Sequence, residues 1–127
     1  MKFVDSSFLI SFYHKKSIKH EKSRIIFKKL SGEELAISYM VIAEVLTILR
    51  KLKANDDLVK KAYSSMINSM IVLDDTSFYE ESFKASLAND VGFFNNLYHV
   101  LMVDLGINEI VSFDSTFDIF DDMKRVG

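Results

Sequence analysis

MKFVDSSF, residues 1–8, joins a short apolar run, Phe3 and Val4, to a carboxylate, Asp5, with Ser6 and Ser7 directly behind it. The apolar run predicts a buried strand over residues 2–5. Phe8, Leu9 and Phe12, at three- and four-residue spacing, predict one face of a helix over residues 6–14. A strand that delivers an Asp at its carboxyl end and turns at once into a helix is how open α/β sheets build sites, because ligands bind in the crevice beyond those strand ends. The same carboxylate suits a helix N-cap, so Asp5 by itself supports two readings.

Working outward, strands and helices alternate. The basic stretch His14–Lys22 (HKKSIKHEK) leads into a helix over about 19–30, closed by Gly32. LAISY, residues 35–39, reads as a second strand. The apolar run then continues through Val41, Ile42, Val45, Leu46, Ile48 and Leu49, too long for one strand. It predicts a helix over 41–53 that is buried on most of its circumference. Asn55 is placed as an N-cap, with Asp56 and Asp57 in the first turn where negative charge suits the helix dipole, and that helix runs to about Ser69. MIVL, residues 70–73, is a third strand. Ser77 and Glu80 form an S-x-x-E capping box for a helix ending near Ala88. A helix from about Phe94 to Leu105 ends at Gly106, and EIVS, residues 109–112, is a fourth strand, with Lys124–Val126 a candidate edge strand. The alternation predicts one domain over residues 1–127, a three-layer α/β/α fold with a mostly parallel sheet of four or five strands.

A chain of 127 residues can bury a core without covalent staples. With no Cys, disulfides and thiolate-bound metals are excluded, which leaves oxygen and histidine nitrogen as metal donors. The longest apolar run, Ile37–Leu49, is too short to cross a bilayer and carries Glu44. The start lacks the charged-then-apolar pattern of a secretory leader, so a soluble, cytoplasmic protein without a membrane partner is expected. The net charge of −2 conceals an asymmetry: residues 1–63 hold 13 Lys and Arg against 7 Asp and Glu (+6), and residues 64–127 hold 3 against 11 (−8). That separation points either to a basic surface for a polyanion beside an acidic site, or to solvated helix faces of opposite sign.

Four polar positions sit where a packed α/β core would favour carbon. Asp5 ends the first strand. Glu44 has Met40, Val41, Thr47 and Ile48 around it at i±3 and i±4, and a carboxylate in that setting needs a cation, a donor set or a raised pKa. Asn95 opens the helix that continues as LYHVLM, and Asp114 follows the fourth strand in IVSFD. Parallel strands present their carboxyl ends on one edge, so Asp5 and Asp114 can converge there while two helices lean Glu44 and Asn95 over them. Several oxygens without Cys form a ligand set for Mg²⁺ or Mn²⁺. Such ions, held roughly 4 Å apart, activate water and steady a leaving oxygen in phosphodiester hydrolysis. Each residue also has a plain structural use: caps for Asp5, Asn95 and Asp114, and a lysine ion pair for Glu44.

In order and placement, VDSSFLISFY at the start, ISYMVIAEVLTIL around Glu44, NNLYHVLMVDLGI before the last strand and IVSFDSTFD followed by KRV make the chain resemble the PIN-domain family, in particular VapC-type toxin ribonucleases. The resemblance spans nearly the whole chain. It implies a Mg²⁺- or Mn²⁺-dependent endoribonuclease with an acidic cluster, in which Asp5, Glu44 and Asp114 fall on acidic, metal-holding positions and Ser7 on the small polar position that supports the first Asp. The third acidic position, Asp in the family's D-A-L-H or D-A-L-Y stretch, is an amide here. Counting back from Gly106 places it at Asn95; matching the His places it at Asn96. With one charge missing, weaker binding of a second metal and reduced activity are expected.

The basic stretch with Lys15, Lys16, Lys19 and Lys22, joined by Arg50, is the candidate RNA track, where phosphate contacts make binding fall with salt. Phe12, Tyr13 and Tyr39 are candidates for base stacking, with core packing the alternative. His99, Tyr98, Leu101 and Met102 read as packed helix residues. The resemblance further implies RNA as substrate, a small antitoxin that enters the acidic groove, and a homodimer through the early helices, with Ile18, Ile25 and Ile26 as contacts. A catalytically silent PIN-like module that binds RNA or protein is the alternative.

Overall fold

The computed structural model describes residues 1–127. Its elements run in order β1 (Lys2–Val4), α1 (Ser6–Tyr13), α2 (His20–Lys29), β2 (Leu35–Ser38), α3 (Tyr39–Lys51), α4 (Asp56–Ser69), β3 (Ile71–Leu73), α5 (Tyr79–Ala88), α6 (Phe93–Leu105), β4 (Glu109–Val111) and β5 (Lys124–Val126), with short 3-10 turns at Thr76–Phe78 and Ser115–Ile119. All four strand pairings are parallel, and the sheet order is β3-β2-β1-β4-β5. Six helices flank this five-stranded sheet in a three-layer α/β/α arrangement.

That order has a consequence for function. From β1 the chain steps outward through β2 and β3, then returns across β1 to lay down β4 and β5. The direction of winding reverses between β1 and β4, and ligands of such sheets bind outside the carboxyl ends at that reversal. Asp5 and Ser112 are the first residues past those two strands. The register Phe3 opposite Ile110 and Val4 opposite Val111 holds their ends level.

The strands form because their residues are buried on both faces, as parallel sheets require. Phe3, Ala36, Ile37, Ile110 and Val111 are fully enclosed. Phe3, Ile37, Ile110 and Val111 belong to a single core of 22 buried residues that also takes Phe8 and Leu9 from α1, Val41, Val45 and Leu49 from α3, and Leu97, Tyr98, Leu101 and Met102 from α6. Phe3 meets the Tyr98 ring at 5.4 Å between centroids, which anchors α6 against the strand that carries Asp5. No helix is long and apolar enough to cross a membrane.

Two local expectations need correction. Helix α3 is amphipathic rather than enclosed: only Val41, Val45 and Leu49, one i, i+4, i+8 stripe, are buried, and Tyr39 is exposed. Its high aliphatic content includes residues only half covered by neighbouring helices. No Ser77–Glu80 capping box forms, because a 3-10 turn precedes α5 and its cap residue, Phe78, makes no side-chain bond. The local turn is organised by Asp74, whose carboxylate accepts from both the N–H and the hydroxyl of Thr76. Asn55 does cap α4, accepting from the Leu58 N–H at 2.8 Å, and Gly106 ends α6 with a left-handed φ of 70°.

Candidate active site

Asp5 is 2% exposed and is held by hydroxyls. Ser7 Oγ donates to Oδ2 at 2.6 Å and Ser112 Oγ donates to the same oxygen at 2.7 Å. The Ser7 N–H also reaches that oxygen, so Asp5 is the N-cap of α1 as well. Burial raises the Asp5 pKa, and the bonds from Ser7 and Ser112 work against that rise. Ser112 was not singled out by the sequence reading, yet it is the hub of the crevice: its hydroxyl touches Asp5, lies 3.2 Å from Ser7 Oγ and accepts the Asp114 N–H at 2.9 Å. Its signal was available, a small polar residue closing an apolar strand two positions before an Asp.

Glu44, half-buried on α3, accepts a hydrogen bond from the Tyr98 hydroxyl. Burial raises its pKa first, and the nearby charge of Asp5 pushes it further up. Tyr98 is held protonated by burial and by the Glu44 charge. The tyrosine is therefore a core residue through its ring and a site residue through its oxygen, the second role being invisible in a helical apolar pattern.

Asp114 stands past β4 with one oxygen accepting from the Thr116 N–H and the other from Asn95 Nδ2, both at 2.9 Å. Burial works to raise its pKa, but the bonds from Thr116 and Asn95 and the charge of Arg125 together hold it below the usual carboxylate range. Asn96 has a different job. It is 1% exposed, exchanges hydrogen bonds with the Asn89 side chain at 3.0 and 3.1 Å, and donates to the carbonyls of Val91 and Gly92. It clamps the turn before α6, and Asn95 is the amide that faces the acidic residues.

The four positions thus meet at one edge as two linked sets, Asp5 with Glu44 and Asp114 with Asn95, bridged by Ser112. No three His, Asp or Glu side chains stand close enough to hold one ion as arranged. Donor chemistry nonetheless suits a hard cation: Asp5, Glu44 and Asp114 make no ion pair with any Lys or Arg, and the guanidinium of Arg125 is committed to Asp118 through two bonds. Ser38 Oγ, at the carboxyl end of the neighbouring strand β2, is buried with no hydrogen-bond partner.

A second missed residue supports Glu44 from a distance. Asp75, fully buried, accepts the Met40 N–H at 2.9 Å and the Tyr79 hydroxyl at 3.0 Å. Ser38, the cap residue of α3, makes no capping bond itself, so Asp75 caps this helix from another element.

Of the basic candidates, Lys15, Lys16, Lys19, Lys22 and Arg50 are all exposed. Lys19 and Lys22 lie at the rim, their ammoniums 4.9 and 5.6 Å from the Phe113 ring centroid, between Ser112 and Asp114 in the chain. Arg50 is paired with Asp56. Among the stacking candidates Tyr13 is buried and Phe12 packs on Phe27 at 4.6 Å, which leaves Tyr39, 49% exposed. His99 bonds Asp122 and stacks on Phe120, away from the crevice.

The PIN domain family model matches residues 2–123. The chain is a PIN-domain protein. No curated protein sequence matches it significantly. Among solved structures, this PIN domain is similar to Mycobacterium tuberculosis VapC20, a sarcin-ricin loop cleaving toxin, with a TM-score of 0.83 and 16% identity over 94% of both chains. It is also similar to PAE2754 from Pyrobaculum aerophilum (TM-score 0.72, 18% identity, 98% of this chain and 88% of that one). A third is VapBC2 from Rickettsia felis, solved bound to a DNA fragment from its promoter (TM-score 0.73, 13% identity, 98% and 96%). At these identities the likeness is one of fold.

Proposed function

We propose that this PIN domain is a VapC-type toxin, an endoribonuclease that depends on Mg²⁺ or Mn²⁺ and acts in the cytoplasm under the control of an antitoxin. The observation that carries the reading is the set of carboxylates without an ion-pair partner, Asp5, Glu44 and Asp114, gathered at the carboxyl edge where the sheet reverses, with two lysines at its rim. Asp5 and Glu44 would hold the cation, with Asp114 and the Asn95 amide oxygen at the far lip. A divalent ion there supplies charge neutralisation and activated water for phosphodiester hydrolysis. The protein's own part is to orient: Ser7 and Ser112 fix the Asp5 carboxylate, Tyr98 fixes Glu44, and the rim lysines draw in the phosphate chain. Ile18 and Ile25 are exposed and Ile26 is half-buried, which supports a homodimer through this face.

Asn95 favours a second reading. Its amide hydrogen-bonds Asp114 and adds no charge where a carboxylate would, as suits a PIN domain that binds RNA or protein without cleaving it. Cleavage of a mixed RNA pool with Mn²⁺ separates the two. Loss of cleavage in Asp5→Asn supports the nuclease. Activity gained only in Asn95→Asp means a silenced nuclease. Inertness of all versions with RNA or protein binding retained overturns the catalytic reading.

A further inference from the structure

Away from the acidic crevice, the structure has a cleft of about 300 Å³ where the ends of α1 and α3 meet the start of α4. It is lined by four basic side chains, His14, Lys15, Lys16 and Lys53, and by the apolar Leu52, Ala54 and Leu58. None of the three lysines is ion-paired. Leu52 is 45% exposed, an apolar surface left open in the same cleft.

One backbone feature singles out the same place. Lys53 is the only non-glycine residue with a positive φ, 60°. A side chain in that left-handed region is strained, and glycine is the residue that usually serves at a helix end of this kind. Keeping lysine there places an ammonium on the cleft wall at a cost in backbone energy, and such strain gathers where side-chain placement matters. Helix α1 connects the two regions: Asp5 is its N-cap and His14 its C-cap, about 13.5 Å apart at 1.5 Å per residue.

We propose that this cleft is a second nucleotide seat, in which the lysine ammoniums take a phosphate of single-stranded RNA and Leu52 and Leu58 pack beneath its base. Mixed chemistry of this kind, several cations beside apolar side chains, matches a nucleotide better than a bare anion. The seat rests on the ribonuclease reading for the identity of its natural ligand, and on the cleft alone for nucleotide binding. A strand threaded through the acidic crevice and along α1 would occupy both sites, so the seat fixes which stretch of RNA lies over Asp5 and Glu44.

Titration of adenosine 5′-monophosphate into the isotope-labelled full chain in EDTA tests the seat directly. Saturable shifts are expected at the amides of Lys53 and Leu58. The Lys15→Glu/Lys53→Glu double variant should lose them and bind non-cleavable 2′-O-methyl RNA at least about tenfold more weakly. Its salt slope should fall by about 0.7, the contribution of the one phosphate the seat takes. Lys53→Gly, which relieves the backbone, should melt no lower than the parent yet bind the nucleotide several-fold more weakly. Shifts confined to the crevice, no shifts, or unchanged RNA binding by the double variant overturn the proposal and reduce the lysines to helix-end counter-charges. Nucleotide binding at the cleft without RNA cleavage by the parent or by Asn95→Asp sinks the ribonuclease reading while supporting the seat. Cleavage without cleft binding does the reverse.

Discussion

Replacing Asn95 by Asp tests the site's charge arithmetic without touching its packing. In the parent, Asn95 Nδ2 donates to Asp114 Oδ2 at 2.9 Å. The variant removes that donor and sets two carboxylates at about the same separation. Two unit charges 2.9 Å apart repel by about 1.4 kcal/mol in water and about 6 kcal/mol at an effective dielectric of 20. Both side chains are partly exposed, so the lower end applies, about 2 kcal/mol. Loss of the charge-assisted hydrogen bond adds about 1 kcal/mol. A total near 3 kcal/mol in EDTA lowers the melting temperature by about 10 °C for a domain of this size.

The pH dependence of this variant has a definite sign. Two close carboxyls titrate as a coupled pair, one of them with a folded-state pKa above its unfolded value. The folded protein then holds the extra proton, so stability is fully present below the unfolded pKa and falls as pH rises through the folded one. A divalent ion reverses this, since binding at 100 times its dissociation constant returns about 2.7 kcal/mol. Urea denaturation at pH 5 and pH 7.5, with EDTA or Mn²⁺, gives the four numbers required. Equal stability of variant and parent at pH 7.5 in EDTA, together with no larger Mn²⁺ stabilisation in the variant, would refute an acidic site at this edge.

Three further outcomes follow from the same geometry. Asp75→Ala leaves the Met40 N–H without its partner and should cost about 2–4 kcal/mol in urea, whereas Asp75→Asn, which keeps an acceptor, should cost less than half of that. In the parent, the raised pKa values of Asp5 and Glu44 make metal-free stability decline as pH rises through them, while the lowered values of Asp114 and Asp118 add stability that is lost as pH falls. Melting curves in EDTA should therefore peak near the ordinary carboxylate pKa, about pH 4, and Mn²⁺ should move the peak upward; an unmoved peak argues against cation binding. Lys53→Gly should stabilise the fold by about 1 kcal/mol, because glycine accepts the left-handed backbone, and a lower melting temperature would show that the lysine side chain has a structural role.

The fold was legible because its cues are local and periodic. Strand runs ending at Asp5 and Ser112, the Asn55 cap and the Gly106 stop each depend on neighbours within a few residues. What the pattern concealed were contacts made across elements. Asp75 caps α3 from the far end of β3, 35 residues away in sequence from Met40. Tyr98 reaches Glu44 across 54 residues, and an aromatic on an apolar helical stripe gives no hint that its hydroxyl is in use. The choice between Asn95 and Asn96 turned on one helical step of about 100°, which spacing fixes only once the end of α6 is known.

Asp5 shows why the two readings of a terminal carboxylate were never exclusive. The Ser7 N–H and hydroxyl that cap α1 bind Oδ2, as does Ser112 Oγ. Oδ1 makes only a long contact of 3.5 Å with Ser6. Capping therefore consumes one oxygen and orients the other. The helix start that a structural cap explains leaves the second oxygen nearly free of partners, and an Asp5→Asn change that preserves the cap should spare the fold while removing the charge.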